Sequence, residues 1–225
     1  LSEEFKYKLL DIGIPLPKMY VSSPMLESKD YVHVSKSLDK DLKFVFCGNI
    51  KREKGIFIVL DFFREFVKIN PNSKLVFIGS GKNISELKSK SEAYNLTSKV
   101  KIKGYIDFEE KTKIFKDSHI FLLPTSHGEG FPAVIIEAMC AGMAIISTPV
   151  GATKDIILDG KNGYLIKSQP PNINEIIKYS NILYSNRNLL SEIGDNNSKE
   201  VKEKYDVSVI TNQIQEIYLD GLVVK

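Results

Sequence analysis

Lys43-Phe44-Val45-Phe46-Cys47-Gly48 is followed by Ile56, Val59, Leu60, Phe63, Phe66 and Val67 at three- and four-residue spacing, and then by Lys74-Leu75-Val76-Phe77-Ile78-Gly79. These residues read as strand, helix and strand. The two short runs are apolar without strict alternation, which suits strands buried on both faces. Asn70-Pro71 stops the helix between them. The same unit recurs along the chain. Val100-Lys101-Ile102-Lys103 ends at Gly104, Ile120-Phe121-Leu122-Leu123 at Pro124, Ala144-Ile145-Ile146-Ser147 near Pro149, and Gly163-Tyr164-Leu165-Ile166 forms a sixth run. Helices are expected around Ile84, Leu87 and Tyr94, around Ile114 and Phe115, and from Pro132 to Ala141 with Gly142 as the C-cap. Strand and helix alternating in this way predict a doubly wound α/β fold with a parallel sheet of about six strands. Ligands in such folds bind at the carboxyl ends of the strands, so the loops after Gly48, Gly79, Gly104 and Pro124 are where a site is expected.

The ends of the chain read differently. Residues 1–41 combine a short helix (Phe5, Leu9, Leu10) with Pro15, Pro17 and Pro24 around an expected strand, Met19 to Val21. After Pro170-Pro171 the chain is helical, with Ile173, Ile176, Ile177 and Ile182, then Val207 to Leu222. The expected organisation is a preceding segment at 1–41, a core domain at 42–205 and a terminal helix at 206–225. At about 150 residues per domain, 225 residues correspond to one large or two small domains, and no linker divides them into two cores.

Composition excludes several classes. With 43% hydrophobic and 26% charged residues the chain is an ordinary globular one, not a disordered tail. Its 31 basic and 28 acidic residues leave +3, too little to point to nucleic acid. Cys47 and Cys140 cannot make a disulfide scaffold and read as small buried hydrophobes. Three histidines in no paired spacing argue against zinc. No apolar run approaches the roughly 18 residues of a membrane span. There is no signal-peptide pattern, and Leu1 in place of an initiator Met suggests a piece of a longer chain.

The segment richest in chemistry is Pro124 to Gly142. A strand ends, a Gly-rich loop follows, and a helix is expected to start with Pro132 in its first turn, where the missing donor is not needed. The N–H groups of Gly130, Phe131 and Ala133 would then point at an anion, which the helix dipole favours. Glu137 sits in the apolar run Ala133-Val134-Ile135-Ile136-Glu137-Ala138-Met139. A buried carboxylate needs fixed donors, and ribose hydroxyls are natural ones; the alternative is a Glu that emerges at the helix surface. Glu129, in the loop, can accept from sugar hydroxyls or be a solvated acid. In Gly48-Asn49-Ile50-Lys51-Arg52-Glu53-Lys54-Gly55, Lys54 and Arg52 can reach phosphate oxygens as point charge and fork; the alternative is a solvated loop.

Other patterns fail. Gly79-Ser80-Gly81-Lys82-Asn83-Ile84 has Ile84 where a dinucleotide fingerprint needs its third Gly, which disfavours a dehydrogenase, and Val76 where a Walker A loop needs its first. His127-Gly128-Glu129-Gly130 has no G-x-S-x-G partner. His119 reads as structural.

Taken together, these residues resemble the retaining glycosyltransferases of the GT-B fold, family 4. Glu129-Gly-Phe-Pro-Ala-Val-Ile-Ile-Glu137-Ala138-Met139-Cys140-Ala141-Gly142 matches two glutamates with seven residues between them followed by E-A-M-x-x-G. Gly48 to Gly55 resembles the family's G-R-x-x-x-x-K-G loop, and Gly79-Ser80-Gly81, Gly104-Tyr105-Ile106 and Asp159 to Leu165 fall in the family's order. The resemblance covers about residues 42–220. It implies one Rossmann-like half of a GT-B enzyme, the C-terminal, nucleotide-sugar-binding one, with a donor such as a UDP- or GDP-sugar of hexose type and a glycan or lipid-linked acceptor, as in polysaccharide biosynthesis. It implies that Glu137 binds ribose, that Glu129 meets the transferred sugar and Lys54 the diphosphate, and that Gly130, Phe131 and Ile106 meet sugar, phosphate and base. Gly48, Asn49, Arg52, Gly79, Thr125, Pro132 and Ala133 complete the implied donor site. No metal or other cofactor is implied, since Lys and helix N-termini replace it. The implied location is cytoplasmic, with the inner membrane face an alternative for the full-length enzyme.

The sequence departs from the family's pattern at Asn49, where Arg is usual, at Gly151-Ala152 and Asp155, and at Phe131-Pro132. A binding module without transfer activity, or a subunit that only pairs with a partner, is the competing class. For want of an N-terminal half, this chain alone is expected to transfer nothing, and Val209, Ile210, Ile214, Ile217 and Leu222 are expected to leave an apolar patch that favours self-association.

Overall fold

A computed structural model of the chain describes residues 7, 9–15, 20, 23–31, 42–126 and 130–223, with side chains described up to 219. Strands and helices alternate as β1 (Lys43–Cys47), α1 (Ile56–Ile69), β2 (Lys74–Ile78), α2 (Ile84–Ala93), β3 (Val100–Ile102), α3 (Phe108–Asp117), β4 (Ile120–Leu123), α4 (Ala133–Cys140), β5 (Ala144–Ser147), α5 (Thr153–Ile156) and β6 (Gly163–Leu165). Three helices follow: α6 (Ile173–Ser185), α7 (Arg187–Lys204) and α8 (Val207–Val223). The sheet has six strands in the order β3-β2-β1-β4-β5-β6, and every pair is parallel. This is the doubly wound, Rossmann-like α/β fold that the apolar runs predict. The expected strand Met19 to Val21 lies outside the described residues.

The strands form where they do because they are buried on both sides. β4 and β5 are buried at every position, and β1 at its three central ones. Phe44 packs edge-to-face against Phe62, Phe63 and Phe66 of α1, and Phe66 in turn meets Tyr184 of α6. On α3, Asp107 caps the helix by accepting from the Glu110 amide at 2.8 Å.

Helix α7 carries a polar stripe on its buried side. Asn197 is fully buried and donates to the carbonyls of Met143 and Asn162, and Gly194 approaches the backbone of Gly142. His119 is buried and structural: its Nδ1 accepts from the Lys43 amide at 3.1 Å, at the amino edge of the sheet.

The two flanking segments meet. Leu26 pairs with Asp206, and the Asp206 carboxylate accepts from the Ser28 hydroxyl at 2.5 Å and from the Ser208 hydroxyl at 2.6 Å. The hydrogen bonds from Ser208 and then Ser28 hold the Asp206 carboxyl well below the usual carboxylate range. A depressed carboxyl adds stability above its unfolded value, near 3.9, and loses it as pH falls through the folded one. Asp206→Ala is therefore expected to cost about 1 kcal/mol at neutral pH, with the gap from wild type narrowing below about pH 4 in urea titrations run across pH. Of the residues expected to form a patch on the last helix, Val209, Ile214 and Ile217 are half-buried, and the side chain of Leu222 lies outside the described residues. Ile210 is buried at 1% exposure, because it belongs to the first turn that docks on the core, and Tyr218 and Leu219 are the exposed apolar residues at 71% and 55%.

Candidate functional site

The strand order turns back at β1 and β4: the chain runs outward through β2 and β3, then returns to the other side of β1. The carboxyl edge at the loops after β1 and β4 is therefore the place where such sheets hold ligands. Backbone bonds join the loop after β1 to those after β2 and β4. Ile50 N–H donates to the Ser80 carbonyl, Asn83 N–H to the Ile50 carbonyl, and Ser126 N–H to the Glu53 carbonyl. Thr125, expected at the site, is buried; its hydroxyl donates to the Glu53 carbonyl at 3.2 Å and its carbonyl accepts from the Thr148 hydroxyl at 2.5 Å. It ties three loops together.

Two glycines make this closeness feasible. A Cβ on Gly55 (φ 79°) would lie 2.2 Å from the Pro124 carbonyl oxygen, and one on Gly79 (φ 127°) 2.0 Å from that of Gly48. Gly79, with Gly48, is thus a backbone contact between the loops after β1 and β2.

Between these loops a cleft of about 400 Å³ is lined by Asn49, Lys51, Glu53, Lys54 and Lys82. Lys54 is half-buried at the end of a single helical turn, Arg52–Lys54, that Gly55 terminates. Lys82 lies 3.3 Å from Glu53, which leaves a net positive lining. Arg52 turns elsewhere: its guanidinium pairs with Glu86 at 2.6 Å and covers the Phe57 ring at 4.6 Å.

Glu137, half-buried on α4, pairs with Lys111 of α3 at 2.8 Å. Burial pushes the Cys47 thiol, at the end of β1, up to about 12, with Lys111 lowering it and Glu137 raising it. Lys111 is a residue that the sequence reading missed. Phe108-Glu109-Glu110-Lys111-Thr112-Lys113 looks like any charged helix, and nothing local in it points to α4.

Glu129, with His127 and Gly128, lies outside the described residues. Two expectations for the neighbouring turn are corrected. Pro132 precedes α4 as its N-cap, at φ −79° and ψ 84°, instead of occupying its first turn. The Ala133 N–H is taken by the Phe131 carbonyl at 3.0 Å, so it does not point at an anion. With Pro132 at the centre this is an inverse γ-turn, a form common where loops begin. Gly130 is exposed, and the Phe131 ring meets Tyr205 at 6.2 Å. Ile106, after β3, is half-buried against the core. Among the described residues no group of three His, Cys, Asp or Glu could hold a metal ion, and no helix is long and apolar enough to cross a membrane.

Comparison with known proteins gives a consistent picture. The family model described as glycosyl transferases group 1 matches residues 28–200. The chain is 27% identical over 187 residues to an uncharacterized glycosyltransferase of Methanocaldococcus jannaschii, covering 82% of this chain and 47% of the relative. It is 26% identical over 166 residues to the phosphatidyl-myo-inositol mannosyltransferase of Mycobacterium tuberculosis, covering 73% and 43%. The chain thus spans about half the length of these curated relatives. In structure it resembles Anabaena HepE, solved in complex with UDP, with a TM-score of 0.85 at 18% identity over 97% of this chain and 62% of that one.

Proposed function

The chain belongs to the group 1 glycosyltransferases, and from that premise we propose that it is the nucleotide-sugar-binding half of a retaining enzyme that moves a hexose-type sugar to a glycan or lipid-linked acceptor. The observation that carries this reading is the cationic cleft of Lys51, Lys54 and Lys82 where the strand order turns back, with the half-buried Glu137 carboxylate of α4 held by Lys111. The donor's diphosphate occupies the cleft, with Lys54 as its point charge. Its ribose lies on Glu137, its base by Ile106, and its sugar toward Glu129 and the backbone of Gly130 and Phe131. UDP in the HepE structure and phosphatidyl-myo-inositol in the name of the mycobacterial mannosyltransferase are consistent with this assignment. As the glycosidic bond to phosphate breaks, negative charge grows on the leaving diphosphate, and fixed cations there stabilise that state without a metal. The leaving phosphate can take the acceptor's proton. Transfer also needs the acceptor held against the donor carbon, a large part of the rate. We assign that task to the part of the relatives that lies beyond this chain's match, so the 225 residues alone bind donor but do not turn it over.

A non-catalytic binding module remains the second reading, favoured by Asn49 where the family usually has Arg and by the engagement of Arg52 with Glu86. Calorimetry with UDP, GDP and ADP, and with the corresponding nucleosides, tests the shared core of both. Lys54→Ala is expected to weaken the preferred diphosphate about fivefold, roughly 1 kcal/mol, with the nucleoside unchanged and the difference shrinking in salt. A chain that binds none of the three diphosphates is not a donor-binding domain. Release of nucleotide from a sugar nucleotide, measured with and without the complementary half of a relative, separates transferase from module.

A further inference from the structure

Most of the described lysines are exposed; Lys111 is half-buried. Its Nζ lies 2.8 Å from Glu137 Oε2, and the two side chains are 20% and 23% exposed, against 64% and 51% for Lys82 and Glu53 in the cleft. The ammonium also lies 5.5 Å from the centre of the Phe108 ring. Phe108, itself 48% exposed, packs edge-to-face at 5.7 Å on Tyr31, which is buried at 2% exposure and whose hydroxyl has no hydrogen-bond partner among the described residues. The base of α3 is held by the Asp107 cap. The lysine is thus delivered to α4 from a first turn that is anchored on both sides, and the order it imposes falls on one group, the carboxylate of Glu137.

A carboxylate that receives two ribose hydroxyls must be aimed, and its charge stands close to that of a diphosphate, which it repels. An ammonium on one oxygen answers both needs. It fixes the rotamer and cancels the charge at short range, where salt does not screen it. Lys111 donates to Oε2, and among the described residues no hydrogen bond falls on Glu137 Oε1.

We propose that Lys111 is a positioning residue of the donor site: it holds Glu137 by Oε2, so that Oε1 is presented to the vicinal hydroxyls of the nucleotide's ribose. The inference rests on the ribose role proposed above for Glu137. The Glu137 charge also adds to the burial that pushes the Tyr31 hydroxyl up.

The test is calorimetry of the 225-residue chain with UDP and with 2′,3′-dideoxy-UDP, for wild type, Lys111→Met and Lys111→Arg, together with thermal midpoints. Wild type is expected to prefer UDP. Lys111→Met is expected to weaken UDP about threefold to tenfold and to leave the dideoxy analogue alone, so that the preference shrinks, while Lys111→Arg restores most of it. If Lys111→Met weakens both ligands equally, or neither, the preference is untouched and the inference is wrong. If wild type binds UDP but does not prefer it to the dideoxy analogue, the ribose role of Glu137 fails first and the inference falls with it.

Discussion

Gly55→Ala is expected to lower the stability of the fold by about 2–5 kcal/mol, a large part of what a domain of this size has. Two independent effects add. At φ 79° any residue with a Cβ sits in the left-handed region, at a cost of roughly 1–2 kcal/mol. The added Cβ would also lie 2.2 Å from the Pro124 oxygen and 2.8 Å from its carbonyl carbon. These are backbone atoms of the loop after β4, so no side chain can swing away, and such overpacking costs about 1–3 kcal/mol. Gly160 is the control. Its φ is 78°, but nothing lies within 4 Å of an added Cβ, so Gly160→Ala should lose only the backbone part. Urea unfolding of both variants decides: equal losses would mean that the loops after β1 and β4 do not touch as described. Because Gly55 also donates its N–H to the Arg52 carbonyl at 3.0 Å, the turn that carries Lys54 should loosen too, and diphosphate affinity should fall in Gly55→Ala but not in Gly160→Ala.

The same contact shows what a sequence can and cannot disclose. Strands such as Ile120–Leu123, buried at every position, read as unbroken apolar runs, and the glycine or proline after each marks a loop of the crevice. That much is local. Which loops touch is not: Gly55 and Pro124 are distant in sequence, and their meeting depends on the strand order. Helix α7 falls within the stretch after Pro170-Pro171 that reads as helical, but its own period is hidden, because its buried side mixes Gly194, Asn197 and Ser198 with Leu190, Ile193 and Val201. The pairing of Leu26 with Asp206 joins opposite ends of the chain. At the site, Glu137 was legible as a carboxylate in an apolar helix, whereas its partner was not, since Lys111 lies 26 residues away on another helix and in a chain full of lysines. Pro132 misled for a different reason. A proline suits both the first turn of a helix and the centre of an inverse γ-turn, and the competing bond from Ala133 to Phe131 chose the second.

Glu137→Gln is expected to weaken nucleoside-diphosphate binding by about 1–3 kcal/mol, the size of lost charge-assisted hydrogen bonds. The reason lies in the count of acceptors. The carboxylate has two oxygens, one occupied by Lys111 at 2.8 Å. Glutamine has one oxygen and one amide nitrogen, which donates. If the oxygen stays on Lys111, the nitrogen faces the ribose and the hydroxyls lose their acceptor. If the amide flips, the nitrogen faces the ammonium, donor against donor, in a place where both side chains are less than one-quarter exposed (20% and 23%). Either choice costs, and the first falls on the ligand. The Lys111→Met background separates the two, because with the ammonium gone the Gln oxygen can turn to the ribose, so the penalty of Glu137→Gln should shrink there. Calorimetry with UDP across this double-mutant cycle reads the coupling directly. A UDP affinity unchanged within about twofold in Glu137→Gln, with unfolding stability reduced, would leave the Glu137–Lys111 pair as a tie between α3 and α4 and remove the ribose from this site.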